Sequence, residues 1–115
     1  MSKFVRVVLV ALSALMMTAC QSTREAHYGS GPLTLSDRAQ ATFKEYLQTI
    51  DPGVFIVSAD GRLWTYTYCD AAMCDWNDIN NHALMRCSAL TNPVPCKIYA
   101  DRRTIVWRFD GKPKS

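Results

Sequence analysis

Residues 54–68 read VFIVSADGRLWTYTY, which is the strongest secondary-structure signal in the chain. Val54 to Ala59 and Leu63 to Tyr68 are two runs of β-branched and aromatic residues, which favour strands. Asp60-Gly61 lies between the runs, and this pair tolerates the positive φ that both central residues of a type I′ turn require. The stretch therefore predicts a tight β-hairpin.

A helix is predicted just before this hairpin. Thr34 or Ser36 can cap its N-terminus, and Asp51-Pro52-Gly53 ends it. Its apolar residues recur at helical spacing and trace one face. They are Leu35, Ala39, Phe43, Tyr46, Leu47 and Ile50.

The same order of elements recurs further along the chain, which predicts an internal structural repeat. Asp37 aligns with Asp78 and Pro52 with Pro93, a constant offset of 41 positions. In the second unit Asn77 is the expected helix cap and Asn92-Pro93 the expected helix end.

The second unit also ends in a predicted hairpin. Lys97 to Ala100 and Thr104 to Phe109 are its strands, joined by a weaker turn at Asp101-Arg102. The chain is therefore predicted to be α+β, in the order helix, hairpin, helix, hairpin. Two hairpins make a four-stranded antiparallel sheet, and we expect the two amphipathic helices to cover one of its faces.

The uncovered face of the sheet is the candidate partner surface. Its composition is too apolar for a purely solvated surface and too polar for a core. A homodimer seam and a mildly apolar exposed face are the alternatives for the same residues. The candidate surface residues are Ile56, Thr65, Tyr99, Val106 and Arg108.

The N-terminus has the features of an export signal. Lys3 and Arg6 precede the apolar run Val7–Met17, which has signal-peptide length and is too short to span a bilayer. The run ends in Met17-Thr18-Ala19-Cys20, where the sequence resembles the lipobox of bacterial lipoproteins. The resemblance implies that residues 1–19 are a signal peptide, cleaved between Ala19 and Cys20.

The same resemblance implies that Cys20 carries covalent lipid, which makes membrane lipid a partner of the chain. No cofactor is expected besides this lipid. Several acyl chains anchor a protein far more firmly than one. Gln21 rather than aspartate follows the cysteine, which in enteric-type bacteria implies the outer membrane as the location. We expect a lipidated N-terminus and flexible tether over residues 20–32, a small domain over 33–112 and a tail over 113–115.

Four cysteines of the body predict two disulfide bonds, because even cysteine counts in short exported chains are typical of a disulfide framework. In the repeat, Cys87 takes the place of Tyr46 on the helix, and Cys96 that of Phe55 on the strand. This favours a disulfide bond between Cys87 and Cys96, which leaves Cys69 and Cys74 to form the second bond. The spacing lacks the paired cysteines of structural zinc sites, so no metal site is expected.

Charge argues against a nucleic-acid partner. Of 13 Lys and Arg residues, Lys3 and Arg6 belong to the signal peptide, so 11 remain against 10 acidic residues. A nucleic-acid-binding domain usually shows a clustered basic footprint, which a nearly neutral chain does not predict.

No catalytic motif stands out, so the chain is not expected to be an enzyme. Asp78 and His82 lie one helical turn apart and can orient an imidazole as a general base, but no nucleophile is identifiable beside them. The leading hypothesis is a binding or structural module of the cell envelope, with a protein or glycan partner. An inhibitor of a hydrolase such as lysozyme is one alternative, and a small enzyme using Asp78 and His82 is the other.

Overall fold

The computed structural model describes residues 24–111, so the predicted lipidation and cleavage residues Cys20 and Ala19 lie outside the described residues. Two helices and four strands follow one another in the predicted order, which confirms the α+β class. The strands form one antiparallel sheet in the order β2-β1-β3-β4. The elements are α1 (Asp37–Gln48), β1 (Pro52–Ser58), β2 (Trp64–Tyr68), α2 (Trp76–Thr91), β3 (Cys96–Asp101) and β4 (Thr104–Ile105).

Side-chain caps fix the starts of both helices. The Ser36 hydroxyl accepts a hydrogen bond from the Ala39 N–H at 3.1 Å, so Ser36 is the cap of α1. In α2 the cap is Asp75, whose carboxylate accepts from the Asp78 N–H at 3.2 Å, and the prediction of Asn77 is wrong by two positions. Asp caps as well as Asn does and comes earlier in the chain, so Asn77 lies inside the first turn.

The two helices lie on opposite faces of the sheet. Phe55 and Val57 of β1 pack in one core cluster with Tyr46 of α1, whereas Val54 and Ile56 pack in the other with Leu84 of α2. The expectation that both helices cover one face is therefore wrong. The physical reason lies in β1, whose apolar residues run without alternation, as in strands that are buried on both faces.

A bulge in the β1–β3 pairing changes which face β3 presents to each helix. Phe55 pairs with Ala100 and Ile56 with Ile98, so Tyr99 is the extra residue. Tyr99 consequently packs in the α1 cluster, while Ile98 packs in the α2 cluster. Tyr99 was predicted on the same face as Ile56, and the bulge places it on the opposite face.

The two hairpin turns differ from the predicted ones. After β1 the loop is wide, with a hydrogen bond from the Ser58 N–H to the Leu63 carbonyl at 2.8 Å, and of Asp60-Gly61 only Gly61 has positive φ (76°). The two-residue turn occurs instead at Arg102-Arg103, where φ is 49° and 71°. Positive φ at both central residues is the type I′ pattern, here adopted by two residues with side chains.

The segment Tyr28–Gly31 lies along the sheet, so the prediction of a flexible tether over residues 20–32 is wrong for this part. The Gly29 N–H donates to the Ile98 carbonyl at 3.0 Å, and the Arg108 N–H donates to the Gly29 carbonyl at 2.9 Å. Strand β4 ends at Ile105, earlier than predicted, and the chain after it pairs with this segment. The backbone hydrogen bonds hold the N-terminal segment in place.

Candidate functional site

Two disulfide bonds fix the position of α2. Cys87–Cys96 joins α2 to β3 and Cys69–Cys74 closes the loop before α2, which confirms both predicted pairings. Cys87 and Cys96 are buried between helix and sheet, at 2% and 4% exposure. In the first unit the equivalent residues, Tyr46 and Phe55, are in ring contact at 5.6 Å between centroids. The repeat therefore preserves the helix–strand contact and changes its chemistry.

A groove of about 600 Å³, here called the edge groove, runs between β2 and α2. Consecutive residues from Leu63 to Tyr68 line one wall of it, although alternate residues of a strand point to opposite faces. The groove therefore follows the backbone edge of β2, which is the first strand of the sheet. The residues of α2 that line it are Asp78, Ile79, His82, Ala83, Arg86, Cys87 and Leu90.

The edge groove is mainly apolar, with charged groups on the helix side. Leu90 is 76% exposed there, although it is a large apolar side chain. Asp78 and His82 are both exposed and line the groove together, as their spacing predicts. Neither side chain makes a hydrogen bond or an ion pair with any residue in 24–111. No orienting contact between the carboxylate and the imidazole is formed.

A second concavity of about 370 Å³, here called the asparagine pocket, lies on the other side of α2. Helix α2 therefore separates an apolar groove from a polar pocket, because residues 77, 80, 81 and 84 form one helical stripe. The asparagine pocket is lined by Arg24, His27, Asn77, Asn80, Asn81, Leu84 and Ile98.

Asn80 is a buried polar residue of the asparagine pocket, at 5% exposure. Its Oδ1 accepts a hydrogen bond from the Thr67 hydroxyl at 2.8 Å, and that hydroxyl accepts from the Val54 N–H at 2.9 Å. The Nδ2 of Asn80 is buried and has no hydrogen-bond partner among residues 24–111. A buried donor without a partner costs about 1–3 kcal/mol, so its presence needs an explanation.

The charges beside the asparagine pocket balance one another. The Arg24 guanidinium lies 3.4 Å from Oδ1 of Asp101, and the Tyr28 hydroxyl donates to Oδ2 of the same carboxylate at 2.8 Å. Burial, and then the hydrogen bond to this carboxylate, raise the pKa of Tyr28 to about 12. The tyrosine therefore stays neutral, and Asp101 offsets the positive charge of Arg24.

The five residues of the predicted partner surface do not form one surface. Ile56 is fully buried in the cluster against α2, and Tyr99 packs on the opposite face. Val106 packs against the α2 cluster, and the Arg108 backbone pairs with Gly29. Thr65 is exposed and lines the edge groove. The surface was predicted from strict alternation of faces along each strand and from one uncovered face of the sheet. The bulge in β3 breaks the alternation, and α2 covers the second face.

The asparagine pocket was missed at the level of the sequence, although a signal was present. Asn77, Asn80 and Asn81 are poor helix formers placed in the first half of a 16-residue helix. Their spacing of three and four residues puts all three on one stripe. Polar residues that disfavour a helix and share a stripe indicate a role other than helix stability.

Two kinds of feature would point to further functions in the part of the chain that the structure describes, a cluster of metal ligands and a helix able to span a membrane. Within residues 24–111 no group of three or more His, Cys, Asp or Glu side chains is placed to hold a metal ion. No helix in that range is long and apolar enough to cross a membrane.

No protein-family model matches the chain, and no curated protein or solved structure is significantly similar to it.

Proposed function

We propose that this chain is a non-enzymatic lipoprotein of the bacterial cell envelope that binds an extended segment of another envelope protein in the edge groove. Lipid on Cys20 anchors it to the outer membrane, as the lipobox resemblance implies. The observation that carries the binding role is the outer edge of β2, which pairs with no other strand within residues 24–111 and lies beside an apolar groove.

The backbone of β2 supports strand addition. The hydrogen bond from Ser58 to Leu63 sets the pairing, so the backbone groups of Thr65 point towards β1. Those of Trp64 and Tyr66 then point outwards, because paired and unpaired positions alternate in an antiparallel ladder. An extended segment bonded to these outward groups gains affinity from its main chain and specificity from alternate side chains.

The wall formed by α2 supports an apolar segment as the occupant. Leu90 and Ile79 line the groove on the helix side, and burying their exposed apolar surface contributes about 25 cal/mol per Å². Asp78, His82 and Arg86 lie one turn apart along the same wall and carry both signs of charge. We assign them a role in partner choice rather than in catalysis.

The folded N-terminal segment limits the distance between anchor and domain. Arg24 is held to Asp101 and lies four positions after Cys20. A fully extended chain spans at most about 3.3–3.6 Å per residue, so the lipidated residue is at most about 14 Å from Arg24. The proposed anchor therefore holds the domain close to the membrane surface.

Site-specific photocrosslinking in living cells tests the binding role. A benzophenone side chain at Thr65 lies in the edge groove, whereas one at Ile50 lies outside it at an exposed position. We expect a discrete crosslinked protein from position 65 and none from position 50. Leu90→Glu should remove the adduct, and the matched control Ile50→Glu should not. Equal adducts from both positions, or none from position 65, contradict the proposal.

Metabolic labelling with a palmitate analogue tests the anchor separately. Label should enter the wild-type chain and be absent from Cys20→Ser, which also should leave the membrane fraction. Absence of label from the wild type, or equal labelling of the wild type and Cys20→Ser, contradicts lipidation at this residue.

A further inference from the structure

We propose that the asparagine pocket binds a neutral sugar unit, with an N-acetylated hexosamine as the best chemical match. This site is independent of the edge groove, because the residues of α2 that line it form a different stripe of the helix. The buried Nδ2 of Asn80 is the starting point of the argument.

Asn80 contributes to the wall of the asparagine pocket, and its Nδ2 is the part of the side chain that lacks a partner within residues 24–111. The hydroxyl of Thr67, a residue of β2, donates a hydrogen bond to the carbonyl oxygen of the Asn80 carboxamide. Asn80 lines the asparagine pocket and does not line the edge groove. Nδ2 is buried without a partner, so a carbonyl or hydroxyl oxygen bound in the asparagine pocket would supply the acceptor that residues 24–111 do not provide.

The rim of the pocket matches hydroxyl groups. Asn77 and Asn81 are exposed and flank Asn80 along the helix. A carboxamide both donates and accepts hydrogen bonds, as a sugar hydroxyl does. Two such groups beside a buried donor can orient a ring with several hydroxyls, whereas a simple anion would leave their acceptor oxygens unused.

The base of the pocket is apolar and its charge is balanced. Leu84 and Ile98 also line the pocket, and they are 7% and 1% exposed. They offer a contact surface for the C–H face of a pyranose ring or for an acetyl methyl group. Arg24 is paired with Asp101, so little net charge favours an anion. An acetamido group supplies both the carbonyl for Asn80 and the methyl for the apolar base.

Titration of the full chain in detergent micelles with N,N′-diacetylchitobiose, followed by amide NMR, tests the site. We expect saturable shifts confined to Arg24–Tyr28 and the first half of α2, including the Asn80 side-chain NH₂ resonances. Cellobiose, the matching disaccharide without acetamido groups, should bind at least about tenfold more weakly, the effect of losing one well-placed hydrogen bond. Inorganic phosphate should produce no saturable shift.

Variants separate specific binding from general effects. Asn77→Ala and Asn81→Ala change exposed side chains, and each should weaken chitobiose binding about tenfold. Asn80→Asp keeps the acceptor for Thr67 and removes the donor, and it should abolish binding. Met85→Ala, which changes an exposed side chain of α2 that lines neither concavity, is the matched control and should leave binding unchanged. Absence of saturable shifts with the wild type, or affinity unchanged in both exposed variants, overturns the proposal even if Asn80→Asp fails to fold.

Discussion

The Tyr46 hydroxyl accepts a hydrogen bond from the Arg103 N–H at 2.9 Å and donates one to the Gly53 carbonyl at 2.9 Å. One buried side chain of α1 thereby connects the start of β1 to the turn between β3 and β4. The turn is the place where two consecutive residues have positive φ, a conformation that costs about 1–2 kcal/mol per residue with a side chain. Tyr46 helps to hold this turn in its unfavourable conformation.

Removal of this hydroxyl should destabilise the fold. Tyr46→Phe leaves the Arg103 N–H without its acceptor, and we expect a loss of about 1–3 kcal/mol in the free energy of unfolding, measured by urea denaturation. Tyr66→Phe is the matched control, because its hydroxyl has no hydrogen-bond partner within residues 24–111. An equal effect of the two substitutions would refute the role of Tyr46.

The Arg103 side chain should stabilise the end of α1. Its guanidinium donates to the Leu47 carbonyl at 3.2 Å and to the Thr49 carbonyl at 2.8 Å, groups that a helix end leaves unpaired. Arg103→Ala should cost about 1 kcal/mol and speed amide exchange near the C-terminus of α1. Arg38→Ala removes an exposed arginine of the same helix and should change neither quantity. Unchanged exchange in Arg103→Ala would contradict the capping role.

The two disulfide bonds should differ in their contribution to stability. They join residues five and nine positions apart, so loop entropy alone gives similar values of about 2 and 3 kcal/mol. Cys87 and Cys96 are also buried in the α2 cluster, and their removal adds a packing loss. The double Cys→Ala variant of this pair should lose about 4 kcal/mol, and that of the Cys69–Cys74 pair about 2 kcal/mol. Equal urea midpoints for the two variants would contradict this difference.

Much of the fold is readable from the sequence because local chemistry fixes it. Turn residues such as Asp51-Pro52-Gly53 and apolar spacing locate the elements, and the 41-residue offset leads from the Tyr46–Phe55 contact to the Cys87–Cys96 bond. The relative placement of the elements is not local. Strict alternation predicted the faces of β3, and a single bulge at Tyr99 reversed them.

The edge groove and the asparagine pocket could not be predicted from the sequence for the same reason. Each depends on which side of α2 meets the sheet, and this follows from the two-sided burial of β1 rather than from any motif. The unbroken run Val54–Val57 did carry that information, since a strand with one solvated face alternates. Strand sequence therefore indicated the layers better than the number of helices did.

Alkaline pH should weaken the fold through Tyr28. Its pKa is raised from 10.0 to about 12 in the folded protein, so the folded state favours the protonated form. The stabilisation is complete below about pH 10 and is lost as the pH rises from about 10 to 12, because the unfolded chain releases the proton first. Urea midpoints measured across this range should fall less steeply in Tyr28→Phe than in the wild type. Equal slopes of the urea midpoint against pH in the two proteins would contradict a role for Tyr28. Burial also raises the pKa values of Tyr46 and Tyr99, but these tyrosines titrate in both proteins and contribute equally to the two slopes.

The packing of Gly29 against Trp107 should decide whether the N-terminal segment stays folded on the domain. A Cβ at position 29 would collide with the indole ring, which is almost fully buried and whose Nε1–H donates to the Gly31 carbonyl at 2.9 Å. Gly29→Ala must therefore displace either the segment or the ring, at a cost of about 1–3 kcal/mol.

Three measurements test this arrangement. Gly29→Ala should lower the urea midpoint and shift the Trp107 fluorescence, and trypsin should cleave after Arg24 more rapidly. Ser30→Ala, which changes an exposed side chain in the same segment, should alter none of these. Wild-type cleavage rates in Gly29→Ala would mean that the sheet does not hold the segment in solution, and the domain could then stand further from its anchor than about 14 Å.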